Sequence, residues 1–263
     1  MRQALSFLLL MLPLLVLCQR RSSPHVLKAD REFTLVGAGL ILGGSALYLK
    51  SQNEPISSAP TLNVYDVPRV ERFATRRWSP IDGNISDGLL VGSCVAASGI
   101  FADRNARKDW LVIGVMGLET ALLTTSLTYD AKWGADRYRP YVYNADAPLS
   151  ERMAPDIRES FFSGHTSFCA AATFFSARVW CDYHPHAKAN AAIWAAAAVL
   201  PALTGIERVR AGKHFPTDVV AGYAAGAAIG YLVPVVHRRG NGKSAYSVSA
   251  SPSMNGVHLM VQF

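Results

Sequence analysis

Residues 208–236 read RVRAGKHFPTDVVAGYAAGAAIGYLVPVV. From Val219 onward this is an apolar run closed by His237, Arg238 and Arg239, and Pro216 is tolerated in a first helical turn. The stretch therefore predicts a helix that opens beside His214 and Asp218. Gly222, Ala224, Ala225 and Gly226 line it with small residues, which lets helix backbones approach closely where lipid supplies no hydrophobic drive. An Ala-rich soluble helical domain would carry the same pattern.

Five further apolar runs lie upstream, at 33–49, 88–102, 110–129, 165–180 and 189–203, each bounded by charge, Pro or Gly. Most read as helices. Only 110–129 and 219–236 approach the ~20 residues of a perpendicular membrane span, and the mean hydropathy of +0.16 is low for a polytopic protein. The expected fold class is all-α: a membrane-embedded helical bundle with a short β-like C-terminal tail. The tail expectation comes from Val257, Leu259, Val261 and Phe263, which alternate with His258, Met260 and Gln262 at strand period.

The 263 residues suffice for one domain with a sizeable core or one compact bundle, not for two catalytic domains. Residues 1–20, with Arg2 ahead of an apolar stretch, read as an export signal or an N-terminal anchor. Lipidation at Cys18 is disfavoured by the bulk of Leu17 in front of it. Residues 21–87 hold one helix and then a polar, Pro-containing loop from residue 50, with at most one short surface helix. The catalytic bundle is expected over 88–240 and the tail over 241–263. The formal charge of +7 is spread over short loops between apolar runs, not along a stripe interleaved with aromatics, so nucleic acid is excluded as a partner. A membrane surface or an anionic substrate fits. Four cysteines form no CxxC and read as small apolar residues; His184 and His186 read as a solvated loop, with no metal-ligand spacing.

Three strings fall at helix ends: KWGADRYRP at 132–140, FSGHTS at 162–167 and RVRAGKHFPTD at 208–218. If consecutive helices run antiparallel, all of them lie at one face of the bundle. Lys132 and Arg139 stand close to two helical turns apart, so both can reach one anion before Pro140 stops the helix. Ser163 can cap a helix whose free N–H groups at Gly164 and His165 favour a phosphate. Arg208 offers a bidentate fork. Asp218, four residues past His214, is placed to hold the imidazole by one ring nitrogen while the other attacks. Singly, such cations are snorkelling flanks and such histidines are structural; together they are equipment for holding and cleaving a phosphate. Glu119, inside the run at 110–129, is expected to make a structural hydrogen bond to a neighbouring helix.

These strings resemble the type 2 phosphatidic acid phosphatase superfamily over about 110–236, a group that includes lipid phosphate phosphatases, bacterial class A acid phosphatases and vanadium-dependent haloperoxidases. The resemblance implies His214 as a nucleophile that forms a phosphohistidine, Asp218 as its orienting partner and His165 as the general acid. It implies Lys132, Arg139, Ser163, the Gly164 amide and Arg208 as phosphoryl-binding groups, with no metal and no other cofactor. The chain departs from the family at Phe162, where Pro is usual, and at Glu207, where Ser is usual. A site at the mouth of a hydrophobic bundle suits a lipid phosphate or polyprenyl diphosphate in a membrane. A soluble periplasmic acid phosphatase, a vanadium haloperoxidase and a non-catalytic phospholipid-binding envelope protein are the alternatives.

Arg104, Arg107, Lys108, Lys188, Arg238, Arg239 and Lys243 sit in loops opposite these strings. By the positive-inside tendency that face is cytoplasmic, which puts the site on the periplasmic side of a bacterial envelope. A cleaved signal would leave the start of the 33–49 run outside, whereas two regular spans before residue 103 need it inside.

Overall fold

Helix-capping chemistry carries the second helix beyond the edge of its apolar run. Ser79 accepts a hydrogen bond from Asp82 N–H at 3.3 Å, Pro80 takes the first helical position, and Asp82 adds a negative charge to the first turn. The second helix therefore begins at Pro80, and residues 80–87, expected as loop, are helical. At the other kind of boundary, Asp136 adopts φ 46° and its N–H closes the preceding helix on the Lys132 carbonyl.

The computed structural model describes residues 23–239 apart from 54, 55, 57 and 59, together with 247–253 and 256–262. The 1–20 segment and Cys18 lie outside the described residues. Among the described residues there are seven α-helices: α1 (Ala29–Gln52), α2 (Pro80–Ser98), α3 (Trp110–Ala135), the short α4 (Leu149–Arg152), α5 (Gly164–Tyr183), α6 (Asn190–Arg210) and α7 (Pro216–Val236). Two strands, β1 (Ser247–Ser253) and β2 (Gly256–Gln262), pair antiparallel at the C-terminal end.

Among the described residues five helices, α1, α2, α3, α6 and α7, are long and apolar enough to cross a membrane, where only two of the runs had approached that length. Ile41, Leu47, Val91, Val95, Leu118, Val199, Val220 and Leu232 are exposed on them. Apolar surface distributed around a bundle in this way is a lipid-facing surface. The protein is an all-α membrane bundle. The sixth long helix, α5, packs against α2, α3, α6 and α7 and is enclosed by them.

Consecutive long helices alternate in direction. Gly39 lies against Leu122, Gly43 against Ser126 and Lys50 over the Trp133 ring, so α1 and α3 run parallel, with α2 reversed between them. The ends of α1, α3 and α6 and the starts of α2, α5 and α7 thus share one face. Loop residues Tyr141, Val142, Ala147 and Ile157 cap that face as a small apolar cluster with Trp78 packed on it, and Val67, Ala74 and Phe215 form another. At the opposite end Leu27, Ile100, Val112, Ile113, Met116, Phe175, Val179 and Val233 form the larger core.

The small-residue face of α7 fixes the site's geometry. A Cβ at Gly222, Gly226 or Gly230 would stand 2.5, 2.0 or 2.3 Å from the carbonyl oxygens of Ser163, Ser167 and Ala171 respectively. Three successive turns of α7 thus rest directly on the α5 backbone. His214 and Asp218, at the head of α7, are thereby set beside Ser163, at the head of α5.

Two smaller expectations change. Cys94 is exposed on α2, while Cys169 is buried and Cys181 half-buried; all three are free. His184 is not simply solvated: it pairs with Asp103 at 3.1 Å and stacks on Trp180.

Candidate active site

At the head of α7, Gly212 makes the turn that presents His214. Its φ is +72°, in the left-handed region, and a Cβ there would stand 2.1 Å from the Arg77 carbonyl oxygen, so only glycine fits. The His214 ring is buried, and its Nδ1 donates to the Ser160 carbonyl at 2.7 Å. With the proton on Nδ1, the lone pair sits on Nε2. Burial first, then the positive charges of Lys132, Arg208 and Arg139, hold the imidazole well below its ordinary pKa of 6.5, against the Ser160 bond that favours the charged form. The ring is neutral at physiological pH.

Asp218 does not take the ring directly. Its Oδ2 lies 3.8 Å from His214 Nδ1, and instead accepts from Phe215 N–H at 2.8 Å and from the Ser160 hydroxyl at 2.6 Å. The carboxylate caps α7 and fixes Ser160, whose carbonyl in turn orients the ring. The direct Asp218–His214 contact expected from the spacing is thus replaced by a contact through Ser160.

The three expected cations come from three segments. Lys132, in the last turns of α3, donates to the Glu159 carbonyl at 2.6 Å and lays its stem beside Gly164. Arg139 is held by Asp156, through the backbone carbonyl at 2.9 Å and the carboxylate at 2.8 Å. Arg208, at the end of α6, reaches Ser86 at 3.3 Å, and its buried Nε has no hydrogen-bond partner among the described residues. All three side chains are nearly buried. Such crowding of like charge is unfavourable unless an anion shares the site.

Ser163 caps α5, its Oγ lying 3.4 Å from Thr166 N and 2.9 Å from Thr166 Oγ1, while its own N–H donates to the Asp218 carbonyl at 2.9 Å. Gly164 opens the helix, so its N–H is among the unpaired donors of a positive helix end. His165, one residue on and only partly exposed, lies 2.7 Å from Asp87 through Nε2. All eight residues singled out from the sequence therefore stand at one end of the bundle.

Four supporting residues were not anticipated. Asp87, on α2, faces both His165 and, at 3.6 Å, Arg208. Arg137 donates to Asp218 at 2.6 Å and to Glu71 at 2.7 Å, with its guanidinium over the Phe215 ring. Glu71, from the segment read as a loop without function, also accepts from Thr217 N–H and hydroxyl. Burial pushes the Glu71 carboxyl up, but the bonds from Thr217 and Arg137 outweigh it and leave the pKa lowered. Ser160 is the fourth. The Ser79–Pro80–Asp82 cap was the legible signal for Asp87, since it starts α2 early enough to include it. Of the two departures, Phe162 is buried against Gly222, and Glu207 turns to Arg210 at 3.1 Å.

A buried neutral imidazole, three buried cations and a helix N-terminus stand together in the face of a membrane bundle, a set with the chemistry to hold an oxyanion. The PAP2 superfamily profile matches residues 88–241, which take in all eight residues singled out from the sequence and leave out the supporting Glu71 and Asp87. The chain belongs to the PAP2 superfamily. No curated protein matches it. Among solved structures it is similar to the first transmembrane PAP2 type phosphatidylglycerolphosphate phosphatase from Bacillus subtilis, at 23% identity and a TM-score of 0.47, over 78% of this chain and 96% of that one.

Proposed function

We propose that this protein is a phosphatase acting on a lipid phosphate monoester or diphosphate through a phosphohistidine. His214 Nε2 attacks phosphorus; the ring's Nδ1–H, fixed on the Ser160 carbonyl, stabilises the positive charge that develops. Lys132, Arg139, Arg208, Ser163 and the Gly164 amide hold the phosphoryl oxygens, the arrangement that loose phosphoryl transfer needs. With the phosphate's negative charge bound beside it, His165 takes up a proton, gives it to the leaving oxygen and then, neutral again, activates the water that frees phosphate from His214. Asp218 positions the nucleophile through Ser160, and Asp87 positions His165.

The observation that carries this reading is the lone pair of a buried, neutral His214 enclosed by three cations from separate segments. The lipid preference rests on the site's place at the rim of five span-length helices, which disfavours the soluble acid phosphatase. The far face bears Arg104, Arg107, Lys108, Lys188, Arg238 and Arg239, which makes it cytoplasmic by charge and turns the site to the periplasm.

The test is phosphate release from lipid and soluble phosphates, with and without EDTA, for wild type, His214→Ala and His165→Ala. Lipid preference, retention in EDTA and loss in both variants are expected. Turnover surviving in His214→Ala refutes the mechanism; vanadate-dependent halide oxidation would identify a haloperoxidase instead.

A further inference from the structure

At the end of the bundle away from His214, three ionisable side chains from three elements converge out of solvent. Glu32 stands in the first turn of α1, Glu119 midway along α3 and His237 directly after α7, and all are at least nine-tenths buried. One ligand atom from each lies within 4.8 Å of the others. The His237 Nδ1 lies 2.7 Å from the Val233 carbonyl, an acceptor only, so Nδ1 carries the proton. Nε2 faces Glu32 Oε2 at 2.8 Å and Glu119 Oε2 at 3.1 Å.

Glu32 is held in that pose. Its other oxygen, Oε1, accepts from Lys28 N–H and from the Arg31 guanidinium, each at 2.8 Å, so Oε2 is the atom presented to the trio. Glu119 differs: neither of its oxygens accepts a hydrogen bond from a described group, although both are buried. A proton on Nε2 does not cure this, because one N–H points along one direction and Glu32 is in line to receive it. Glu119 would then stand in a span either as a carboxylate facing only the shared Nε2 or as an acid that has taken up a proton of its own, and both are costly beside Glu32. A cation at the centre serves all three lone pairs at once.

The spacing suits an ion. Ligands about 2.0–2.2 Å from a metal stand roughly 3.0–3.5 Å from one another in octahedral or tetrahedral geometry, and the observed 2.8 and 3.1 Å need only small adjustment. An imidazole whose far nitrogen donates to a backbone carbonyl is the usual form of a metal-bound histidine.

We propose that Glu32, Glu119 and His237 form a binding site for a divalent first-row transition metal ion, Zn²⁺ being the best fit to two carboxylates and an imidazole. Its role is structural. It clips the start of α1 and the end of α7 to the middle of α3, where the chain already holds Val26 N–H on the His237 carbonyl and Arg239 N–H on the Pro24 carbonyl. A clip between positions so distant in sequence removes much freedom from the unfolded chain. The α7 helix spans ~30 Å between the two sites, so the ion takes no part in the proposed phosphoryl transfer.

The full chain in detergent, stripped with chelator, is reloaded with Zn²⁺ or with Co²⁺ as a spectroscopic probe and passed through gel filtration. Stoichiometric metal by elemental analysis, a Co²⁺ d–d absorption band and a higher Tm on reloading are expected. Glu119→Gln, which keeps the side-chain volume, is expected to lose the retained metal and the band while keeping its helical circular dichroism and its phosphatase turnover. Glu32→Gln serves as the second variant if Glu119→Gln does not fold. Folded wild type that retains no Zn²⁺, or a folded Glu119→Gln that retains as much as wild type, overturns the proposal. Either result leaves the phosphatase reading untouched.

Discussion

Replacing Gly226 by Ala adds one methyl group where α7 rests on α5. The new Cβ would stand 2.0 Å from the Ser167 carbonyl oxygen and 2.8 Å from Ser167 Cα, and side-chain rotation cannot relieve a backbone contact. Real Cβ atoms essentially never approach closer than 3.0 Å, so the helices must separate by about 1 Å. Overpacking of this kind costs about 1–3 kcal/mol, against a helix-propensity gain of up to about 1 kcal/mol from Gly to Ala. The net loss should lower Tm in detergent by several degrees. A shift of about 1 Å between His214 and Ser163 also misaligns attack, which can cost roughly 10²-fold in rate. Gly114→Ala on α3 is the control, because its Cβ meets nothing within 4 Å. The assays are thermal unfolding and initial phosphate-release rate for both variants. Equal Tm and rate for Gly226→Ala and wild type would refute direct backbone contact between α5 and α7.

Arg137→Met strips two buried carboxylates, Glu71 and Asp218, of their shared cation. A stability loss of about 2–4 kcal/mol is expected, below the full buried-pair value because Arg137 is partly exposed, and chemical denaturation measures it. Asp87→Asn weakens support of the proposed general acid, so kcat should fall about 10–100-fold for lipid phosphates and much less for p-nitrophenyl phosphate, whose leaving group needs no proton. Because the folded-state pKa of His214 lies below its ordinary 6.5, the unfolded chain binds the extra proton as pH falls past that value. The part of the Tm profile that His214 contributes should therefore be flat above about pH 6.5 and decline below it, and His214→Gln should remove that part of the decline.

The helices were legible in the sequence because each apolar run ends in charge, Pro or Gly, and the candidate site was legible because its cations, histidines and capping serine sit at those ends. Less legible were the lengths of α2 and α6, where caps and polar first or last turns extend the helix beyond its apolar stretch. Glu71 comes from a polar segment with no local pattern, the Ser79–Pro80–Asp82 cap places Asp87 on a helix but not its partner, and only tertiary packing brings the two to Arg137 and His165. The Ser160 carbonyl that orients His214 is a backbone atom, which no side-chain spacing announces. Glu119 was visible as an oddity inside a span, but its convergence with Glu32 and His237 joins positions far apart along the chain.

The central claim is a covalent bond between phosphorus and His214. It is tested most directly by mixing ³²P-labelled lipid phosphate with the protein, quenching in alkaline detergent, which preserves phosphohistidine, and mapping the label. The account predicts alkali-stable, acid-labile label on the peptide containing His214 in the wild type and no label in His214→Ala. Label on another residue, or sustained turnover in His214→Ala, would contradict it.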